Sequence, residues 1–138
     1  QLVGKFAEYQ LATDMRTRKR FSLSAYFSGV SDRTKLNITD IRLNVGFQRP
    51  DGKSMEMDVL AESDCGRIVA IEVKKWKKPV GVQAVRDFTE KVHIYANLYP
   101  GKKIIPAFLS VAGFSSPARK LCKEKNIGVA ERIDYYQG

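Results

Sequence analysis

Two alternating stretches carry the residues best suited to chemistry. From Met55 to Glu62, Asp58 shares one face with Glu56, Leu60 and Glu62, while Met57, Val59 and Ala61 take the other. From Ile68 to Trp76, Glu72 and Lys74 share a face opposite Ile71 and Val73. The turn residues Asp64-Cys65-Gly66 between the two stretches fold them into a hairpin, which can set Asp58, Glu72 and Lys74 side by side. Two carboxylates at that range repel, and a hard divalent cation relieves the repulsion by taking their oxygens as ligands. A neighbouring ammonium can orient a water or stabilise charge developing on phosphorus. Such a trio suits metal-assisted phosphodiester hydrolysis. A solvated strand face with cross-strand ion pairs, each worth ~0.2–1 kcal/mol, has the same spacing, and spacing alone leaves both readings open.

The elements that must position these residues are legible in order. Leu2, Phe6 and Tyr9 share a helical face, so residues 2–15 read as an amphipathic helix, followed by the basic cluster Arg16, Arg18, Lys19 and Arg20. Residues 21–37 give no clear element. Ile41, Leu43, Val45 and Phe47 alternate as a half-buried strand, and Pro50-Asp51-Gly52 turns the chain into the hairpin, making a three-strand antiparallel meander. Val82, Val85, Phe88, Val92 and Tyr95 recur at helical spacing until Pro100-Gly101. The apolar run Ile104–Ala112 suits a strand covered on both faces. Ser116-Pro117 reads as the cap and first residue of a helix running to Asn126, with Gly128 just past its end and a last strand near Ile127–Ile133. The expected fold class is α/β: a single domain spanning 1–138, with elements in the order α, β, β, β, α, β, α, β around a mixed sheet.

Composition narrows the partners. The 138 residues carry 24 Lys and Arg against 15 Asp and Glu, a net charge of +9, which favours a polyanion. No apolar run reaches the roughly 18 residues of a membrane span, and no signal-peptide pattern opens the chain, so no membrane partner is expected. Two cysteines and one histidine are too few for a disulfide framework or a Cys/His zinc site, which fits a reducing, cytoplasmic setting. No glycine-rich phosphate loop is present. The chain opens on Gln1, and is expected to be one domain of a longer protein.

Asp58, followed after thirteen residues by Glu72-Val73-Lys74, resembles the PD-(D/E)XK nuclease superfamily, which includes restriction endonucleases and Holliday-junction resolvases. The element order matches that family's αβββαβ core. The tail Phe114-Ser115-Ser116-Pro117-Ala118 through Ile127-Gly128-Val129 looks most like Mrr-type restriction endonucleases, with an extra helix and strand. The departure is Met57, which stands where the motif's name places Pro. The resemblance implies a restriction-endonuclease-like mixed sheet flanked by helices. It also implies that Asp58 and Glu72 hold Mg²⁺, with Mn²⁺ able to substitute, while Lys74 positions the attacking water. It further suggests Glu8, on the first helix, as an additional acid, and Gln83, early in the helix after the motif strand, as a catalytic-site residue. Their plainer readings are a solvated partner of Lys5 and an ordinary first-turn polar residue.

The function this implies is Mg²⁺-dependent hydrolysis of DNA, in restriction, repair or recombination; RNA remains an open substrate. Arg16, Arg18, Lys19 and Arg20, with Lys75, Lys77 and Lys78 around Trp76, would neutralise phosphates without reading sequence. Cutting both strands of a duplex calls for two active sites, which a homodimer would supply. The alternatives are a catalytically inactive nuclease-fold DNA-binding module and a basic protein-interaction domain. Trp76 is a stacking platform or a cap on the core. His93, Cys65 and Cys122 read as structural or surface residues.

Overall fold

The computed structural model describes residues 7–18 and 20–131. In chain order the elements are helix α1 (Ala7–Arg18), strand β1 (Arg20–Ser22), a 3₁₀ turn (Leu23–Ala25), β2 (Lys35–Gln48), β3 (Ser54–Ser63), β4 (Arg67–Lys74), α2 (Val82–Leu98), β5 (Lys103–Ser110), α3 (Ser116–Glu124) and β6 (Gly128–Ala130). The strands form one sheet in the order β1-β2-β3-β4-β5-β6, antiparallel through β4 and parallel from β4 to β6. The expected meander and the helical crossover into a fourth strand are both present. Residues 21–37, which gave no pattern, supply the short edge strand β1, the 3₁₀ turn and the start of β2.

Each sheet face buries its own core. Ala7, Leu11, Ala12 and Met15 of α1 pack with Val59, Ala61, Val69, Ile71 and Val73 on one face. Val85, Phe88 and Tyr95 of α2 and Ala118 and Cys122 of α3 pack with Met57, Leu60, Ile68, Ala70 and Phe108 on the other. Phe88 meets Phe108 edge to face at 5.3 Å between ring centroids, an arrangement favoured by the ring quadrupoles. Being covered on both sides is why β4 and β5 read as apolar runs.

Several expectations need correction. Tyr9 is 59% exposed and is not on the buried stripe of α1, which runs through residues 7, 11, 12 and 15. Leu2, Phe6, Lys5, Lys19 and Ile133 lie outside the described residues. The helix continues through Arg18, so Arg16 and Arg18 form its last turn rather than a separate cluster. The cap of α3 is Ser115, whose Oγ accepts the Ala118 N–H at 3.2 Å, one residue earlier than expected. The left-handed residue that ends α3 is Asn126 (φ 57°), while Gly128 lies within β6. Most consequential, Met57 does not share a side with Val59 and Ala61: it belongs to the α2-side core and they to the α1-side core. The same reversal occurs in β2, where Leu43 packs on the α1 side and Val45 and Phe47 on the α2 side. Between them Asn44 adopts φ 52°, and its register position faces Asp58. This left-handed residue stands opposite the candidate acid, at the level where the alternation of both strands reverses, and asparagine tolerates that conformation better than most residues.

Candidate active site

The site forms where two strands stop pairing. The β3–β4 ladder runs from Glu62↔Ile68 to Val59↔Ile71 and ends there, although both strands continue. The next facing pair in that register would be Asp58 and Glu72. On its other edge β4 stays paired with β5 through Lys74. In place of a ladder bond, the Val73 N–H donates to Asp58 Oδ2 at 2.7 Å. Asp58 thereby substitutes a side-chain acceptor for a backbone one and is drawn against the Glu72-Val73-Lys74 segment.

Glu72 is only 5% exposed, and each of its oxygens faces an ammonium group. Lys74 Nζ lies 3.4 Å from Oε2, and Lys91 Nζ lies 2.8 Å from Oε1. Lys91 comes from α2 and also donates to the Glu56 carbonyl at 2.9 Å. Burial pushes the Asp58 carboxyl up from its ordinary range. The Val73 N–H and the Lys91 charge pull it down, and the Glu72 and Glu8 charges push it up. Asp58 is therefore held where its negative charge is disfavoured unless a cation lies near.

The remaining sequence candidates lie partly beside this pair and partly away from it. Glu8, in the first turn of α1, is close enough to act on Asp58, but both its oxygens lie 3.3 Å from Lys75 Nζ. Lys75 is thus a brace between α1 and the end of β4. Gln83 borders a cleft of about 340 Å³ together with Glu72, Lys74, Trp76, Gly81 and Asp87, and its Nε2 donates to Asp87 Oδ1 at 2.9 Å. Trp76 does not cap the core; it is 48% exposed, and Lys74 Nζ sits 4.9 Å from its ring centroid. Arg16 and Arg18 are engaged within the fold. Arg16 donates to the Ile41 carbonyl at 3.0 Å, and Arg18 lies 3.6 Å from Asp14 and over the Tyr26 ring. They also lie roughly 12–15 Å along α1 from Glu8, away from the acids. Arg20, Lys77 and Lys78 are exposed, as is His93. Glu62, expected on the same face as Asp58, pairs with Arg42 at 3.1 Å.

Sequence reasoning missed Lys91. The signal was available: Gln83, Asp87 and Lys91 recur every four residues, which puts them on one face of α2.

Among the described residues no group of three His, Cys, Asp or Glu side chains closes around a metal position. A two-carboxylate site nonetheless suits Mg²⁺, which keeps several waters and takes one or two protein carboxylates plus substrate phosphates. The half-buried Asp58 and the buried Glu72, which repel one another, match that demand. Among the described residues no helix is long and apolar enough to cross a membrane.

Comparison with known proteins gives a family and a fold. Residues 40–134 match the profile of the Mrr catalytic domain family, described as restriction endonuclease. Similar solved structures include AF1548, a protein of unknown function, with a TM-score of 0.63 and 19% identity over 90% of this chain and 55% of that one. Can2 from Sulfobacillus thermosulfidooxidans, solved with cyclic tetra-adenylate, gives a TM-score of 0.63 and 20% identity over 94% of this chain and 32% of that one. EndoMS in its apo form gives 0.50 and 18%, over 92% and 47%. At these identities the likeness is one of fold. The chain spans about half the length of AF1548 and EndoMS and a third of Can2. No curated protein matches. The family match runs through β2 to β6 and includes Asp58, Glu72 and Lys74, so the chain belongs to the Mrr-type restriction endonuclease family of the PD-(D/E)XK nuclease superfamily.

Proposed function

We propose that this chain is the cleavage domain of a Mg²⁺-dependent DNA endonuclease. The observation that carries the proposal is the placement of Asp58 and Glu72 as the first facing pair beyond the end of the β3–β4 ladder, with Lys74 at 3.4 Å from Glu72. Asp58 and Glu72 would hold the cation, which when bound polarises the scissile phosphate and lowers the pKa of a water. Lys74, held between Glu72 and the Trp76 ring, places its ammonium where an attacking water needs orienting. The first turn of α2 has no side-chain cap and borders the same cleft at Gly81 and Gln83, a favourable position for a phosphate oxygen. Trp76 lines the cleft and the exposed Lys77 and Lys78 follow it in the chain, a cationic and aromatic approach for the strand.

The direct test is cleavage of supercoiled plasmid, linear duplex, single-stranded DNA and RNA by purified protein in Mg²⁺ or EDTA. Magnesium-dependent cleavage of DNA is expected, lost in Asp58→Ala and Lys74→Ala while circular dichroism reports an intact fold. Equal cleavage by Asp58→Ala protein, or DNA binding without cleavage of any substrate, would remove the assignment.

A further inference from the structure

Lys91 has no part in the chemistry described so far, yet it occupies the centre of the acidic site. Its ammonium makes two short contacts, 2.8 Å to Glu72 Oε1 and 2.9 Å to the Glu56 carbonyl. These oxygens belong to different strands, β4 and β3, at the level where their ladder has ended. Lys91 therefore bridges the splayed strand ends from a third element, α2. Its charge also favours the ionised form of Asp58.

Two carboxylates in a half-buried site carry a repulsion that solvent screens poorly. Lys91 relieves it from inside the protein. A divalent cation held by Glu72 would relieve it from outside. The ammonium would then lie close to a second positive charge on the same carboxylate, and that repulsion sets the two cations in competition. Lysine suits the role: its ammonium is a compact charge on a stem with rotatable bonds, able to withdraw while the chain stays folded.

Resting on the nuclease reading above, we propose that Lys91 is a built-in counter-ion that holds the seat beside Glu72 when no metal is bound and yields it to a divalent cation, thereby setting the site's metal affinity. The site stays folded without metal and charges only when the cation is abundant enough to displace the ammonium.

The test is Mn²⁺ binding by isothermal titration calorimetry to wild-type, Lys91→Met, Lys91→Arg and Asp58→Asn proteins, with thermal unfolding followed in EDTA and in saturating Mn²⁺. Lys91→Met removes the charge at similar length and is expected to bind Mn²⁺ about tenfold more tightly. Its midpoint in EDTA is expected to fall below the wild type, with saturating Mn²⁺ closing the gap. Lys91→Arg keeps the charge and guards against a Met variant that does not fold; its guanidinium can grip both Glu72 oxygens, so it is expected to bind Mn²⁺ several-fold more weakly. Unchanged or weaker affinity in folded Lys91→Met, or tighter binding by Lys91→Arg, would overturn the counter-ion role alone, provided wild-type uptake depends on Asp58. Absence of Mn²⁺ uptake by the wild type, or uptake untouched by Asp58→Asn, would instead remove the nuclease reading and this inference with it.

Discussion

Asp58 Oδ2 accepts the main-chain N–H of Val73 at 2.7 Å, so the candidate acid of β3 is bonded to the backbone of the very tripeptide that carries Glu72 and Lys74. The bond does two things at once. It satisfies an N–H left over where the β3–β4 ladder ends, and it fixes a carboxylate beside a second one. The site is therefore assembled by a defect in the sheet rather than by regular pairing.

That relationship separates stability from activity at Asp58. Asparagine there keeps an oxygen for the Val73 N–H and removes a charge that burial disfavours and Glu72 repels. Because folding raises the Asp58 pKa, the ionised carboxylate costs stability at neutral pH, and protonation in acid recovers it. Asp58→Asn is expected to unfold at a midpoint a few degrees above the wild type at pH 7, with the gap narrowing as pH falls. Cleavage in Mg²⁺ is expected to be lost. Differential scanning fluorimetry across pH, alongside a plasmid nicking assay, checks both; a variant less stable than the wild type at pH 7 contradicts the electrostatic account.

The exposed lysines after the motif strand give a prediction about binding alone. Lys75 is committed to Glu8, whereas Lys77 and Lys78 lie exposed beyond Trp76. Replacing both by alanine is expected to weaken duplex binding and to flatten the dependence of log K on log salt by about 0.9 per lost phosphate contact. Fluorescence anisotropy in Ca²⁺ at several salt concentrations measures the slope. An unchanged slope would place the DNA path elsewhere on the surface.

How far the sequence reached can be judged from these residues. The antiparallel meander, the crossover helix and the Glu72–Lys74 pairing follow from period two and turn chemistry, which are local rules. The reversal at Asn44 and Asp58 breaks period two, and alternation across it put Met57 with Val59, in the wrong core. Arg16 looked like part of a free basic cluster because its partner, the Ile41 carbonyl, is distant in sequence. The pairing of Arg18 with Asp14 at i, i+4, by contrast, was open to a helical reading carried past residue 15. The four-residue recurrence of Gln83, Asp87 and Lys91 puts Lys91 on one face of α2, but that this face meets Glu72 depends on α2 packing across β4, a long-range fact.

Gly128 shows the same limit and yields a packing prediction. Next to a helix end it reads as a terminator, but Asn126 has that role. A Cβ on Gly128 would come within 2.7 Å of Val30 Cγ2 and 2.9 Å of Phe27 Cβ, both on buried residues. The segment after the 3₁₀ turn thus packs directly on the β6 backbone. Gly128→Ala is expected to destabilise the fold by ~1–3 kcal/mol, the usual cost of overpacking. Urea denaturation gives the value, and a variant as stable as the wild type would mean the contact opens at no cost.

Asp32 supplies a stability switch far from the acids of the site. Its Oδ2 lies 2.7 Å from Arg67 Nε and 2.8 Å from Lys103 Nζ, and its other oxygen takes the Thr34 N–H at 3.0 Å. The loop before β2 is thereby clamped to the starts of β4 and β5. The hydrogen bond from Arg67, then that from Lys103, holds this carboxyl well below the ordinary carboxylate range. A group depressed in this way adds stability above its unfolded value of 3.8 and loses it as pH falls through the lower folded value. Asp32→Asn is accordingly expected to lower the thermal midpoint by several degrees at pH 7, with the two proteins converging as pH drops below 3.8. Thermal melts from pH 7 to pH 2 read this directly. Cleavage by Asp32→Asn at a temperature where both proteins are folded should match the wild type, since Asp32 touches neither Asp58 nor Glu72; a loss of activity there would tie the clamp to the site.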